Sequence, residues 1–195
     1  MLAMSTRYTR SPRGRGFTLI EMMVTIAILV VLVTLAFPSM RDFRRNAELS
    51  SIANSFLSGV NAARSEAMKR NRSASIAPAS GGSWENGWVA FVDMNSDGEL
   101  DDGDITVVRD DKALPSYLEV QANGIFSGAK PHLTYDASGF LKNFADNSAM
   151  QLKRNDVADF EYASVRRIIV AATGRIRVCT PRTDADAACK MTGGE

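Results

Sequence analysis

Histidine is nearly absent: His132 stands alone in 195 residues. A single imidazole removes most histidine-based catalytic and metal sites. Cysteine is almost as scarce, with Cys179 and Cys189 ten positions apart near the C-terminus. The chain has no Walker A pattern, no HExxH, no GxSxG, and no cysteine–histidine pair with neighbours to orient it. No catalytic constellation is left, and an enzyme is not expected. Paired acids such as Asp101–Asp102 are accounted for by a turn. Internal repeats and low-complexity tracts are also missing.

Acid is absent from the first 16 residues, which carry Arg7, Arg10, Arg13 and Arg15. The chain's formal charge is +1, but without those four of its 23 basic residues it holds 19 against 22 acidic, a net of −3. It is therefore not a generally basic nucleic-acid binder, and any such activity needs a local patch. The next stretch lacks proline and glycine: FTLIEMMVTIAILVVLVTLAF, from Phe17 to Phe37, has 21 residues and one charge, Glu21. At ~1.5 Å per residue it makes roughly 31 Å of helix, enough to cross a bilayer's hydrocarbon core. It is long for a signal-peptide core, and no small-residue A-x-A site ends it. The basic head holds the N-terminus on the cytoplasmic side and places everything after residue 38 outside. If that end is exported, Cys179 and Cys189 close a short loop; in a reducing compartment they stay free thiols. A carboxylate inside the hydrocarbon slab costs several kcal/mol unless it is partnered, which makes Glu21 a functional candidate.

After Pro38 a helical period resumes. Leu49, Ile52, Ala53, Phe56, Val60, Ala63 and Ala67 recur at spacings of three and four and form one apolar stripe. Basic residues in ARSEAMKRN suit the helix end. Residues 17–70 read as one long, kinked helix. From Ala74 the signals become short strands between Gly, Asn, Asp and Ser clusters, at 74–78, 87–93, 105–109, 117–121, 132–136, 139–143, 149–153, 165–171 and 175–179. No second helix is evident. The fold class is α+β, an antiparallel sheet domain packed on the long N-terminal helix.

Three groups of residues are candidates for chemistry. DMNSDGELDDGD, residues 93–104, follows the spacing of a calcium loop, with Asp93, Asn95, Asp97, Gly98, Asp101 and Asp104 at positions 1, 3, 5, 6, 9 and 12. Aspartate at position 12 shortens the reach of the usual bidentate glutamate, and the flanking GWVAFVD reads as a strand. The alternative is an acidic hairpin whose Asp, Asn and Gly supply turn geometry. Calcium at this loop is the one cofactor to consider. RRIIVAATGRIRVCTPR, residues 166–182, has five arginines and no acid: Arg166, Arg167, Arg175, Arg177 and Arg182. On an extended strand Arg175 and Arg177 share a face, about 6.6–6.8 Å apart. Gly174 frees the turn before them, and guanidinium forks grip phosphate oxygens bidentately. On composition alone these arginines read as a solvated strand face paired with the acidic hairpin. The aromatic set Trp84, Trp88, Phe91, Phe126 and Phe140 reads as core and hairpin packing rather than a ligand platform.

GFTLIE, residues 16–21, followed by an apolar helix, resembles the class III leader of type IV pilins and type II secretion pseudopilins. The resemblance implies that a prepilin peptidase cuts after Gly16 and methylates Phe17. Residues 1–16 are then the leader, 17–37 the transmembrane helix, 38–70 its amphipathic continuation and 71–195 a β-rich domain, a type IV pilin-like fold. Glu21 fits the fifth mature residue, whose carboxylate in those families pairs with the N-terminal amine of a neighbouring subunit. Pro38 fits the proline that loosens the helix. ARSEAMKRN, GWVAFVDMNSDG and TGRIRVC are further similar to the GspH/FimT-type minor pilins, over Gly16 to about Cys179. GspH-type members are minor pseudopilins of type II secretion. Some FimT-type members bind DNA in natural transformation through a C-terminal GRxR motif, which Gly174-Arg175-Ile176-Arg177 fits, with Arg182 just beyond. The resemblance turns the expectation toward the FimT-like branch and DNA binding without sequence specificity. It implies a disulfide between Cys179 and Cys189, with other major and minor pilins and the prepilin peptidase as partners. The location implied is the bacterial inner membrane with the C-terminal domain in the periplasm, then the pilus. The rival is a structural pseudopilin or assembly-priming subunit that binds no DNA.

Overall fold

The computed structural model describes residues 16–80, 82–144, 148–157, 161–183 and 186–191. The leader arginines Arg7, Arg10, Arg13 and Arg15 lie outside them. The chain divides into two compact units between Phe43 and Arg44, inside the long helix α1 (Leu19–Arg70).

In the first unit Gly16 and Phe17 are exposed ahead of the helix. Thr18 and Glu21 then close a capping box. The Glu21 carboxylate accepts from the Thr18 N–H at 3.0 Å and its hydroxyl at 3.1 Å, and the Glu21 N–H donates to Thr18 Oγ1 at 3.3 Å. Thr-x-x-Glu before an apolar run is a helix-start signature in its own right, which gives Glu21 a local partner as well as the one the resemblance implies. The apolar stretch that follows is long enough to cross a membrane, and its large side chains are exposed. Thr25 and Thr34 donate their hydroxyls to the carbonyls of Met22 and Val31, at 2.9 and 2.8 Å, so neither is left unpaired among apolar side chains.

In the second unit the expected stripe is buried: Leu49, Ala53, Phe56, Val60, Ala63 and Ala67 enter the core, with Ile52 packed beside it. Gly59 lets α1 come close, because a Cβ there would lie 2.3 Å from the Trp88 ring. Phe56 meets Trp84 and Trp88 edge-on at 5.4 and 6.1 Å, and the Trp84 indole N–H donates to the Phe126 carbonyl at 2.8 Å. Edge-to-face rings add to plain burial, and the indole's polar handle is satisfied.

Eight strands follow: β1 (Ala74–Pro78), β2 (Trp88–Val92), β3 (Ile105–Asp110), β4 (Leu118–Ala122), β5 (Leu133–Tyr135), β6 (Ala149–Arg154), β7 (Val165–Val170) and β8 (Ile176–Cys179). They form two antiparallel four-stranded sheets, in orders β3-β2-β1-β5 and β4-β6-β7-β8, where one sheet was expected. Alternate residues of both sheets, Ala74, Ile76, Trp88 and Ala90 in one and Met150, Leu152, Ile168 and Val170 in the other, join the helix stripe in one core. The expected strand at 139–143 is a turn instead, with Leu141 making a single bridge to Tyr135. Asp136 Oδ1 takes the N–H groups of Ser138 and Phe140 at 2.8 and 3.0 Å, and Gly139 has φ +78°, so the side chain outcompetes a ladder.

A buried arginine fastens α1 to the second sheet. Arg154, 1% exposed, donates to both Asp156 oxygens at 2.9 and 3.0 Å and to Asn46 Oδ1 at 3.0 Å. Arg45 pairs with the same carboxylate and lies over the Tyr117 ring, 4.4 Å from its centroid.

Candidate functional site

The acidic loop, residues 93–104, folds as the hairpin alternative. Asp93 is buried and accepts from Ser75 Oγ at 2.9 Å and from the N–H groups of Ser96 and Gly98 at 2.6 and 2.9 Å. Asp104 accepts from the N–H groups of Met94 and Asp101 at 2.8 and 3.1 Å. The Asn95 amide donates to Asp97 and Asp101 at 3.0 and 2.9 Å, so a neutral side chain takes the place between those carboxylates. Among the described residues no group of three or more His, Cys, Asp or Glu is arranged to hold a metal. The side chains expected as calcium ligands, Asp93, Asn95, Asp97, Asp101 and Asp104, are hydrogen-bonded here to one another, to Ser75 and to backbone N–H groups of the loop.

The arginine stretch divides by strand geometry. On β7, neighbouring residues face opposite sides of the sheet. Arg166 reaches α1, donating to Ser50 Oγ at 3.1 and 2.9 Å and to the Ala163 and Val165 carbonyls at 2.9 and 2.7 Å. Burial lowers its pKa. Arg167 is 7% exposed on the other face, donating to Gln151 Oε1 at 2.7 Å and to the Cys189 carbonyl at 2.8 Å. Both were expected in the DNA-binding set, and both are committed to the fold.

Arg175 and Arg177 are different. The hairpin from β7 turns through Ala171 to Gly174, closed by the Gly174 N–H to the Ala171 carbonyl at 2.8 Å and the Ala171 N–H to the Arg175 carbonyl at 2.9 Å. Arg177 lies opposite Ile169, which puts Arg177 and Arg175 on the face away from the core. Arg175 is exposed and Arg177 half-buried. Neither guanidinium has a hydrogen-bond or ion-pair partner among the described residues, so the pairing with the acidic hairpin allowed by composition does not form. Arg182 also has an exposed side chain, while its N–H donates to Asp186 at 3.0 Å.

Gly174 fixes this hairpin. Its φ is +79°, and a Cβ would stand 2.8 Å from Tyr135 Cε1 and 3.1 Å from the Gly139 carbonyl. The Tyr135 hydroxyl donates to the Gly174 carbonyl at 2.8 Å. Burial pushes the Tyr135 phenol up to about 12, against the pull of Arg64, so it stays a donor. Past β8, residues 186–191 return across the outer face as a strap. It is tied by the Cys179–Cys189 disulfide, by Arg167, and by Asn123 Nδ2 donating to the Met191 carbonyl at 2.8 Å. Tyr135, Gly139 and Arg64 around the hairpin were missed in the sequence: they are far apart along the chain, and only strand pairing brings them to the Arg-bearing turn.

The sequence pattern described as Type II transport protein GspH matches residues 53–174. The chain belongs to the GspH family. The prokaryotic N-terminal methylation motif matches residues 12–37, around the Gly16–Phe17 junction. It is thus a GspH-family minor pilin or pseudopilin with a methylation motif, a structural subunit and not an enzyme. Among solved structures it is similar to the type IV minor pilin FimU of Pseudomonas aeruginosa, at 23% identity and TM-score 0.52, over 72% of this chain and 98% of that one. A second crystal form of FimU gives 22% identity and TM-score 0.50, over 69% and 98%. That likeness is one of fold. Comparison with curated proteins finds no match.

Proposed function

We propose that this GspH-family chain is a minor type IV pilin whose hairpin arginines bind DNA for natural transformation. In this reading it is cut after Gly16 and methylated at Phe17. The apolar half of α1 holds it in the inner membrane, with the C-terminal domain in the periplasm, until it joins a pilus with other pilins. Glu21 then serves assembly by meeting a neighbouring subunit's amine. The observation that carries DNA binding is the division of the arginines: Arg166 and Arg167 are hydrogen-bonded into the fold, while the guanidinium groups of Arg175 and Arg177, on a hairpin held by Gly174 and Tyr135, have no hydrogen-bond or ion-pair partner among the described residues. Unpaired guanidinium forks on a rigid turn suit phosphate oxygens and carry no base information, so binding is sequence-independent and salt-sensitive. Arg182 adds charge just past β8.

The test is a titration of labelled duplex DNA with the full-length chain in detergent across a salt series. Two phosphate contacts predict a log–log slope of about −1.8, a loss of roughly tenfold for a fourfold rise in salt. Arg175→Gln/Arg177→Gln should abolish that binding and leave the unfolding midpoint unchanged. Absence of binding by the wild-type chain at low salt, or a double variant with the wild-type slope, overturns the reading. The chain is then a structural pseudopilin of type II secretion or an assembly-priming subunit, which the family's description also favours.

A further inference from the structure

The first sheet ends on one side at β5 and on the other at β3. The β5 edge is closed by the chain's own turn: the Lys142 N–H donates to the Thr134 carbonyl at 2.8 Å, and the Thr134 N–H to Asn143 Oδ1 at 3.0 Å. The β3 edge has no such cover. Among the described residues its ladder partner is β2 alone, so the backbone groups on its outer side are a template for a further strand. The β3 sequence, ITVVRD, opens with four β-branched residues, which suit a strand packed by neighbours. Yet β2 is buried throughout, whereas β3 leaves Ile105 41% and Val108 36% exposed. These two lie on one face. Val108 stands opposite Ala90 and Ile105 opposite Val92, with Val107 the extra residue of a bulge between them, and directly opposed residues share a face. An incoming strand would therefore meet an aliphatic pair as well as open backbone.

Charge selects the partner. Residues 93–111 hold eight acidic residues and one basic residue, Arg109, in a chain whose formal charge is +1. Asp101, Asp102 and Asp104 precede the aliphatic centre of β3, and Asp110 and Asp111 follow it. Hydrogen bonds within the loop hold Asp101 and Asp104 without cancelling their charge. The field is therefore negative at both ends of the strand, which repels a second β3 or a phosphate backbone and attracts cations. We propose that β3 is the docking edge for a basic, extended segment of a partner protein. The segment adds as a fifth strand, lays aliphatic side chains on Ile105 and Val108, and sets Lys or Arg beside the acids at either end. Main-chain hydrogen bonds supply affinity in this mode, and alternate side chains and charge supply specificity. The surface belongs to the other sheet from the arginine hairpin, and the inference stands whether or not the chain binds DNA.

The probe is a peptide of Val-Thr repeats carrying lysines at each end, titrated into the full-length chain in non-ionic detergent and followed by amide hydrogen exchange. At about ten times Kd, the outward amides of residues 105–110 should exchange about elevenfold more slowly, by mass action. Glutamates in place of the lysines should weaken binding about tenfold or more. N-methylation of alternate peptide amides, which removes the donors of the new ladder, should abolish the protection. On the protein, Asp102→Asn/Asp111→Asn should weaken the lysine peptide about twofold to tenfold. Ile105→Lys, which sets a cation against the incoming strand, should abolish its binding. All three side chains are exposed, and an unchanged unfolding midpoint is the control. Absence of protection at residues 105–110, equal binding of the glutamate peptide, or full protection by the N-methylated peptide overturns the proposal. Protection that rises with protein concentration in the absence of peptide assigns the edge to a second copy of the chain and overturns it too.

Discussion

Replacing Gly174 by alanine tests the hairpin geometry on which the site depends. The backbone there has φ +79°, and an L-residue in the left-handed region costs about 1–2 kcal/mol. The new methyl would also stand 2.8 Å from Tyr135 Cε1 and 3.1 Å from the Gly139 carbonyl. Neither neighbour yields easily. Tyr135 has no exposed surface and its hydroxyl is bound to Gly174 itself, while Gly139 is wedged against Met68 and Arg64. Overpacking of this kind costs about 1–3 kcal/mol, so Gly174→Ala should lose about 2–5 kcal/mol in total. The assay is urea unfolding of the full-length chain in detergent, followed by the emission of the buried Trp84 and Trp88. DNA affinity should fall with it, because relief of the clash displaces Arg175. A Tyr135→Phe variant, which strands the Gly174 carbonyl without adding bulk, should lose less, about 1–2 kcal/mol. A Gly174→Ala chain with the wild-type midpoint and wild-type DNA affinity would show that the turn adjusts freely, and the account of the site would fail.

Two further outcomes follow from the fastenings of the domain. The hydrogen bond from Arg154, and then that from Arg45, holds Asp156 down from 3.8 to about 2. A depressed carboxylate stabilises the fold above its unfolded pKa and loses that contribution as pH falls, here from about 4 through about 2. At 1.36 kcal/mol per pH unit this is at most about 2 kcal/mol, which Asp156→Asn should remove from the acid limb of a midpoint-against-pH curve; an unchanged limb refutes it. Separately, Cys179→Ser/Cys189→Ser opens a loop of ten residues' separation, worth about 3 kcal/mol in the chain-entropy account. Proteolysis should then cut the strap, residues 186–191, faster than in wild type, and equal cleavage rates would show that Arg167 and Asn123 hold it unaided.

The helix was legible because its stripe repeats at 3.6 residues and one face meets a core: Leu49 to Ala67 were read from spacing alone. Strand positions were legible to within a residue or two where apolar runs sit between turn residues, as at β2 and β7. The split into two sheets was not, since pairing depends on partners distant in the chain. Residues 139–143 failed for a local reason, because one carboxylate, Asp136, captured the N–H groups a ladder needed. The candidate site was half legible. GRIR stands out by composition, but its neighbours Arg166 and Arg167 look identical in a sequence. Only the positions of Ser50, Gln151 and the Cys189 carbonyl reveal that those two are spoken for. Nor could spacing show that Asn95 would sit between the acids of the calcium-like loop.

Because the Arg175 and Arg177 guanidinium groups have no hydrogen-bond or ion-pair partner among the described residues, exchanging either removes no such bond from the domain, whereas Arg154, Arg166 and Arg167 each hold several. If Arg175 and Arg177 bind DNA as proposed, selection for ligand affinity and selection for folding act on separate arginines of the same chain. On the proposed reading, DNA binding could then be gained, retuned or discarded through Arg175 and Arg177 with the pilin fold unchanged beneath them.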